Sequence, residues 1–235
     1  MELVDKIKNT FNTTDSNEVF KNETYNFSIH ILKPTRKNPY HIVFTSGLSD
    51  FAQNVSDKFP EFKHIELYFC LPDYWKIDNK SPANNWPIKW LNRIAEVPQK
   101  SNSWFGPGDT LPAGNPPEEL SDKLKQNHFI LAEPMLFSEE LTTVNLNDKS
   151  IKFLAIIPIY QKEIDFKLRN SAKVFMSKYQ FKNHNELVDN YRKTTVGKIN
   201  YKYIWLTIIA ILVLTAVAYV LFTDGSWIHE ELQPK

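Results

Sequence analysis

Ser49, in Gly47-Leu48-Ser49-Asp50, has the neighbours that come nearest in this chain to a nucleophile setting. A Gly-x-Ser turn is half of the elbow that presents a serine hydroxyl to a carbonyl, and a histidine brought beside it would make a hydrolase. The second glycine is missing, however, and an isolated Gly-x-Ser is common. A metal would need several His, Cys or carboxylates at ligand spacing, whereas His30, His41, His64, His128, His184 and His229 are dispersed with no His-x-x-x-His pair. The adjacent pairs Glu118-Glu119 and Glu139-Glu140 point apart on a helix or strand and read as solvated surface. Gly106-Pro107-Gly108 lacks the following Lys-Ser/Thr of a phosphate loop and reads as a structural corner. No catalytic residue, metal or cofactor is nominated; a hydrolase using Ser49 stays as the alternative to a binding protein.

Around that corner, Ser103 to Gly114 packs glycines and prolines about two large aromatics and must be ordered. Trp104 and Phe105 read first as core and second as anchors for a partner. Asp109 reads first as a turn cap, with a polar contact to a partner as the second reading.

The chain has 235 residues, with 28 Lys+Arg against 27 Asp+Glu, a net charge of +1. A scattered, balanced charge excludes nucleic acid as a partner, which would need a concentrated basic face. With 42% hydrophobic and 14% aromatic residues the chain can bury a real core, and its one cysteine, Cys70, sits in an apolar run as a small buried thiol.

Hydrophobic patterning supplies the elements. Tyr25 to Ile31 alternates apolar and polar without a fault, predicting a strand with His30 on its polar face. Further strands are predicted at Tyr40–Thr45, stopped by the turn at Gly47, and at Ile65–Leu71, Phe129–Ala132, Val144–Leu146 and Ile151–Ile157. A short helix is expected between Pro87, suited to a first turn, and Pro98, which disfavours helix before it. A second helix is expected from about Gln161 to Tyr179, with Ile164, Leu168, Ala172, Phe175 and Tyr179 on one stripe. Together these predict an α+β domain over residues 1–180, a mixed sheet packed with helices, followed by a polar connector over 181–203.

Residues 204–222 carry no charge, and twelve of the nineteen are Leu, Ile, Val or Phe. At about 1.5 Å per residue such a helix spans ~28 Å, close to the hydrocarbon thickness of a bilayer. It is expected to be a single-pass anchor running from Ile204 and Trp205 through Leu212 and Tyr219 to Phe222, with the bilayer as its partner. Arg192, Lys193, Lys198 and Lys202 precede it, whereas the tail 223–235 holds only Lys235 against Asp224, Glu230 and Glu231. That asymmetry places the large N-terminal part in the cytoplasm and the short tail outside, and the start of the chain lacks the pattern of a secretory signal. The anchor is expected to insert late, as a tail anchor.

Five blocks in order carry a resemblance: Phe44-Thr45-Ser46-Gly47-Leu48-Ser49-Asp50, Ile65 to Pro72, Trp86-Pro87 with its helix, Trp104 to Pro112, and Ile156-Ile157-Pro158-Ile159 before an acidic helix. This arrangement resembles the suppressor of fused domain over roughly residues 25–180, departing from it at Phe51-Ala52-Gln53. The resemblance implies a non-enzymatic binding domain. Animal members sequester a transcription factor by gripping an extended segment, and bacterial members look like immunity proteins that neutralise polymorphic toxins. The frequent Asn, Lys and Ile suggest an AT-rich bacterial gene and so favour the toxin-antagonist form, with a protein as partner.

Overall fold

The computed structural model describes residues 2–197 and 201–224, the side chains of 201–204 and 223–224 excepted. Two units are distinguished, 1–196 and 197–235. In the first, helix α1 (Glu2–Thr10) precedes strands β1 (Ser16–Asn22), β2 (Phe27–Leu32), β3 (Tyr40–Ser46) and β4 (Ile65–Pro72). Helix α2 (Pro82–Ser101) leads to β5 (Thr110–Pro112) and β6 (His128–Ala132), then the single turn α3 (Ser138–Leu141). Strands β7 (Val144–Leu146) and β8 (Lys149–Ile159) and helices α4 (Gln161–Arg169) and α5 (Ala172–Phe181) follow.

The strands form one sheet in the order β1-β2-β3-β4-β8-β6-β5, with β7 paired to β8 off this path. All neighbours are antiparallel except β4 and β8, so the sheet is mixed and the α+β fold is as expected. Because side chains alternate across a strand, the sheet needs a cover on each face. Phe27, Ile29, Ile31, Phe69 and Leu71 meet Leu91 and Ile94 of α2 on one side. On the other, Ile42, Phe44, Tyr68 and Ile157 meet Leu3 and Ile7 of α1 and Phe175 and Tyr179 of α5. Strand β4 is buried at all eight positions, the mark of a central strand covered twice.

Four sequence expectations need correction. Helix α2 starts at Pro82 and runs past Pro98 to Ser101, enclosing both Pro87 and Pro98. Each proline removes a backbone hydrogen bond at a typical cost of about 3 kcal/mol, so burial must outweigh propensity here. Leu91, Ile94 and Ala95 pack on the sheet, and Trp86 meets Phe69 edge to face at 5.3 Å. The single helix expected over 161–179 is two, because Ser171 stops α4 and caps α5, its Oγ accepting from the Val174 amide at 3.2 Å. Leu168 then falls off the buried stripe and is exposed. Helix α1 and strand β1 had no sequence counterpart.

The fourth correction concerns the connector. Residues 183–196 pack on the domain as a strap, which extends the folded unit beyond 180 to Val196. The Val188 amide donates to the Cys70 carbonyl at 2.8 Å, and Leu187 bridges Cys70 in parallel. Glu186 is wholly buried and accepts from the Tyr68 hydroxyl at 3.0 Å and from the amides of Met135, Leu136 and Phe137 at 3.1, 2.8 and 3.3 Å. Arg192 pairs with Glu163 through both nitrogens, at 2.6 and 2.8 Å, and lies over the rings of Tyr160 and Tyr179. Arg192 is therefore a buried structural cation and no longer counts among the basic residues flanking the apolar helix.

In the second unit, α6 (Tyr201–Asp224) contains Trp205–Phe222, a stretch of mean hydropathy 2.5 that is long and apolar enough to cross a membrane. Trp205, Leu212, Tyr219 and Phe222 are exposed in this unit. The side chain of Ile204, and His229 with the tail from residue 225 on, lie outside the described residues.

Candidate functional site

The turn that carries Ser49 is built around a buried carboxylate rather than a histidine. Gly47 turns the chain at φ 98°, a conformation in which an added Cβ would stand 2.9 Å from the Asn26 carbonyl oxygen. Leu48–Asp50 then form a short 3-10 turn whose donors converge on Glu66. Its Oε1 accepts from the Gly47 and Ser49 amides at 3.0 Å each and from the Ser49 hydroxyl at 2.7 Å, while Oε2 accepts from the Thr45 hydroxyl at 2.5 Å. Burial pushes the Glu66 carboxyl above the usual carboxylate range, against the downward pull of these four donors. His64 approaches Ser49 through the backbone carbonyl, at 2.7 Å from Nδ1. Ser49 is itself 3% exposed, so its hydroxyl, held on the buried Glu66 carboxylate, is not presented to solvent or paired with a histidine.

The other polar candidates are not brought together. Among the described residues no group of three His, Cys, Asp or Glu side chains could hold a metal ion. His30 lies against Phe44, and burial lowers the pKa of His30, His41, His128 and His184 alike. Glu118 and Glu119 are exposed, the latter paired with Lys125; Glu139 is exposed and Glu140 half-buried. Burial and the nearby Glu186 raise the Cys70 thiol well above its ordinary range, leaving it unreactive.

The corner before β5 has a different character. Phe105 is buried, and Gln53 grips its backbone: the Gln53 Oε1 accepts from the Phe105 amide at 2.9 Å and Nε2 donates to its carbonyl at 3.2 Å. This fixes Phe105 in the core, the first of its two sequence readings. Trp104 is half-buried, stacked on Phe59 at 5.5 Å, and covers Gly106 so closely that an added Cβ would lie 2.6 Å from its ring. Asp109 caps the turn, its Oδ2 accepting from the Gly106 amide at 2.8 Å. Gly108 has φ 94°, and a Cβ there would meet the Ala172 Cβ at 2.7 Å, so the corner and the first turn of α5 touch.

Between them opens a groove of about 380 Å³ lined by Pro107, Gly108, Leu131, Met135, Ala172 and Met176. Its two methionines are adaptable apolar side chains suited to varied side chains of a partner. Pattern reasoning reached the corner but not Gln53, Met135 or Met176, whose part depends on contacts made far along the chain. Gly108→Val is expected to destabilise the domain by about 2–4 kcal/mol, from positive-φ strain and overpacking on α5. A urea titration followed by tryptophan fluorescence checks this.

Comparison with known proteins decides the family. The family model described as Suppressor of fused protein (SUFU) matches residues 23–193, most of the folded unit. The chain belongs to the suppressor of fused family. The match ends at residue 193, so it takes in residues 183–193 of the strap, Arg192 included. No curated protein sequence matches significantly. Among solved structures, a suppressor of fused homologue from Neisseria gonorrhoeae FA 1090 superposes with a TM-score of 0.61 at 17% identity, over 84% of this chain and 96% of that one. A chain of the Sufu–Fu complex crystal structure gives 0.57 at 14% identity, over 82% of this chain and 90% of that one. Drosophila Suppressor of Fused gives 0.58 at 14% identity, with 83% of this chain on 50% of that one. At these identities the superpositions speak for the fold alone.

Proposed function

We propose that this chain is a non-enzymatic protein-binding domain, tethered to a membrane by α6, that sequesters a protein partner as a bacterial toxin-immunity or adaptor protein. The observation that carries the reading is the suppressor of fused match across the folded unit, in a family with a member crystallised in a complex with Fu. The groove beside Gly108 offers that partner an apolar seat, with Trp104 and Asp109 at the corner beside it. Ser49, turned inward onto Glu66, supports a binding role over the hydrolase alternative. Helix α6, apolar on every face, would hold the domain at a bilayer, and confinement there raises the effective concentration of a partner that arrives at the same membrane. Lys193, Lys198 and Lys202 before the apolar stretch 205–222, against Asp224, Glu230 and Glu231 after it, favour a cytoplasmic domain.

The test uses the full chain, expressed in membranes together with the products of its neighbouring genes. Met176→Glu, which places a charge in the groove, is expected to lower capture of the partner at least about tenfold. Ser49→Ala is expected to leave capture within about twofold while losing about 1–2 kcal/mol of stability through Glu66. Loss of function in Ser49→Ala with stability and capture intact would instead restore the hydrolase. Replacing α6 by an unrelated apolar helix should preserve function if the helix only tethers.

A further inference from the structure

The cover on the α2 face of the sheet is incomplete. Helix α2 packs over β2, β3 and β4, while β1 has β2 as its sheet partner and its outer side is open among the described residues. Val19 and Phe20 of β1 are consequently 41% and 39% exposed, although they lie on the same side as α2. A trough of about 540 Å³ runs between them and the flank of α2 formed by Asn85, Ile88, Lys89, Asn92 and Arg93. Those positions recur at helical spacing, so the trough has one helical wall and a floor of sheet. This is the vacancy that the next helix of an αβ layer would fill, at about 8–10 Å from α2.

The charge of the trough is one-sided. Lys80, Lys89 and Arg93 stand exposed along it, and none has a carboxylate within ion-pair distance among the described residues. The one acid lining it, Asp78, is paired with Lys33 at 3.5 Å. Glu96, one turn further along α2, is engaged by the amide groups of Asn22 and Asn92, which tie α2 to the end of β1 and close the trough there. A strand added to β1 is disfavoured, because the pairing shifts between Glu18 and Phe20 and charged Glu18 and Lys21 line the edge. A flat lipid surface would not fill a concave, apolar-floored trough.

We infer that the trough between β1 and α2 is a docking site for an acidic amphipathic helix of a partner protein, its apolar ridge seated on Val19, Phe20 and Ile88 and its acidic flank facing Lys80, Lys89 and Arg93. This surface is separate from the groove beside Gly108 and does not depend on it. Recognition follows helix-in-groove logic, with apolar anchors supplying affinity and charge supplying orientation and selectivity.

The test takes the full chain in nanodiscs of neutral phosphatidylcholine and selects from a phage-displayed library of random peptides about 20 residues long, enough for more than five helical turns. Empty nanodiscs remove lipid binders. The expected result is enrichment of peptides with apolar residues at i, i+3 and i+4 spacing and an excess of Asp and Glu. Their synthetic versions should bind at least about tenfold more weakly to Lys89→Glu/Arg93→Glu, and Phe20→Ala should weaken them without changing their charge preference. Both charge positions are on the surface, and unchanged circular dichroism would establish that the variant is folded. Enriched peptides without acidic excess, equal binding to the variant, or no enrichment would each overturn the proposal. So would protection of α2 from hydrogen exchange by phosphatidylserine nanodiscs, abolished in the variant, in the absence of peptide binding; that outcome assigns the cations to lipid.

Discussion

Arg192→Ala is expected to destabilise the domain by about 3–5 kcal/mol, the usual cost of leaving one charge of a buried pair alone. Arg192 is 6% exposed and Glu163 is wholly buried; besides the two bonds of the pair, Arg192 donates to the Pro158 carbonyl at 3.0 Å. Glu163 accepts from the amides of Thr195 and Tyr160, at 2.7 and 2.9 Å, so the carboxylate holds both the start of α4 and the end of the strap. Burial pushes the Glu163 carboxyl upward, but Arg192 and the two amides outweigh it and leave the group below its ordinary value of 4.5. A depressed folded pKa contributes stability above the unfolded value, and that contribution is lost as pH falls through the folded value. In Arg192→Ala the cation is gone and burial dominates, so the folded pKa rises and the penalty grows with pH above the unfolded value. The deficit of the variant should therefore be smaller near about pH 4 than near about pH 7, measured by urea unfolding at both. A purely steric loss of the arginine would give equal deficits. Replacing both partners, Arg192→Met with Glu163→Leu, should recover only part of the loss, because the Thr195 and Tyr160 amides are left without their acceptor.

Glu186→Ala comes next, at about 2–4 kcal/mol, because each buried donor left without an acceptor costs ~1–3 kcal/mol and partial relaxation offsets the sum. The four donors it would orphan come from β4 and from the residues before α3, so one carboxylate joins the strap to two distant parts of the sheet's second face. Tyr68→Phe removes a single donor and leaves the carboxylate its amides, so it should cost about 1 kcal/mol. If Glu186→Ala proved no worse than Tyr68→Phe, the three amides would have found other acceptors. Thermal melts of the two variants side by side distinguish these outcomes.

The central strands were legible because their side chains repeat with the period of two or run apolar throughout, and neither pattern depends on the rest of the chain. Val144–Leu146 came out of pattern at its observed limits, and β4 within one residue. Helix α2 was foreshortened because prolines carry a local penalty that only tertiary burial of Leu91 and Ile94 reverses. The strap reads as a connector from sequence because Glu186, Asp189, Arg192 and Lys193 are polar by type, and nothing local reveals that Glu186 and Arg192 are buried. Glu163 and Arg192 are 29 positions apart, and no spacing rule links such a pair. The corner was visible in its glycines, prolines and aromatics. The Ser49 turn is visible too, but whether its hydroxyl meets a histidine or a buried carboxylate depends on Glu66, a residue of another strand.

Because the strap is woven into the sheet, where the polypeptide is severed matters. A soluble fragment stopped at Gln180 would lose Glu186, Val188 and Arg192 together, stranding Glu163 and the amides of residues 135–137. Such a piece would precipitate or be degraded for reasons unrelated to what it binds. A protease nicking near Gly197, where an added Cβ would meet nothing within 4 Å among the described residues, would release the folded portion intact from the apolar helix. Cleavage is thus compatible with an intact folded unit at that point and at none earlier in the strap.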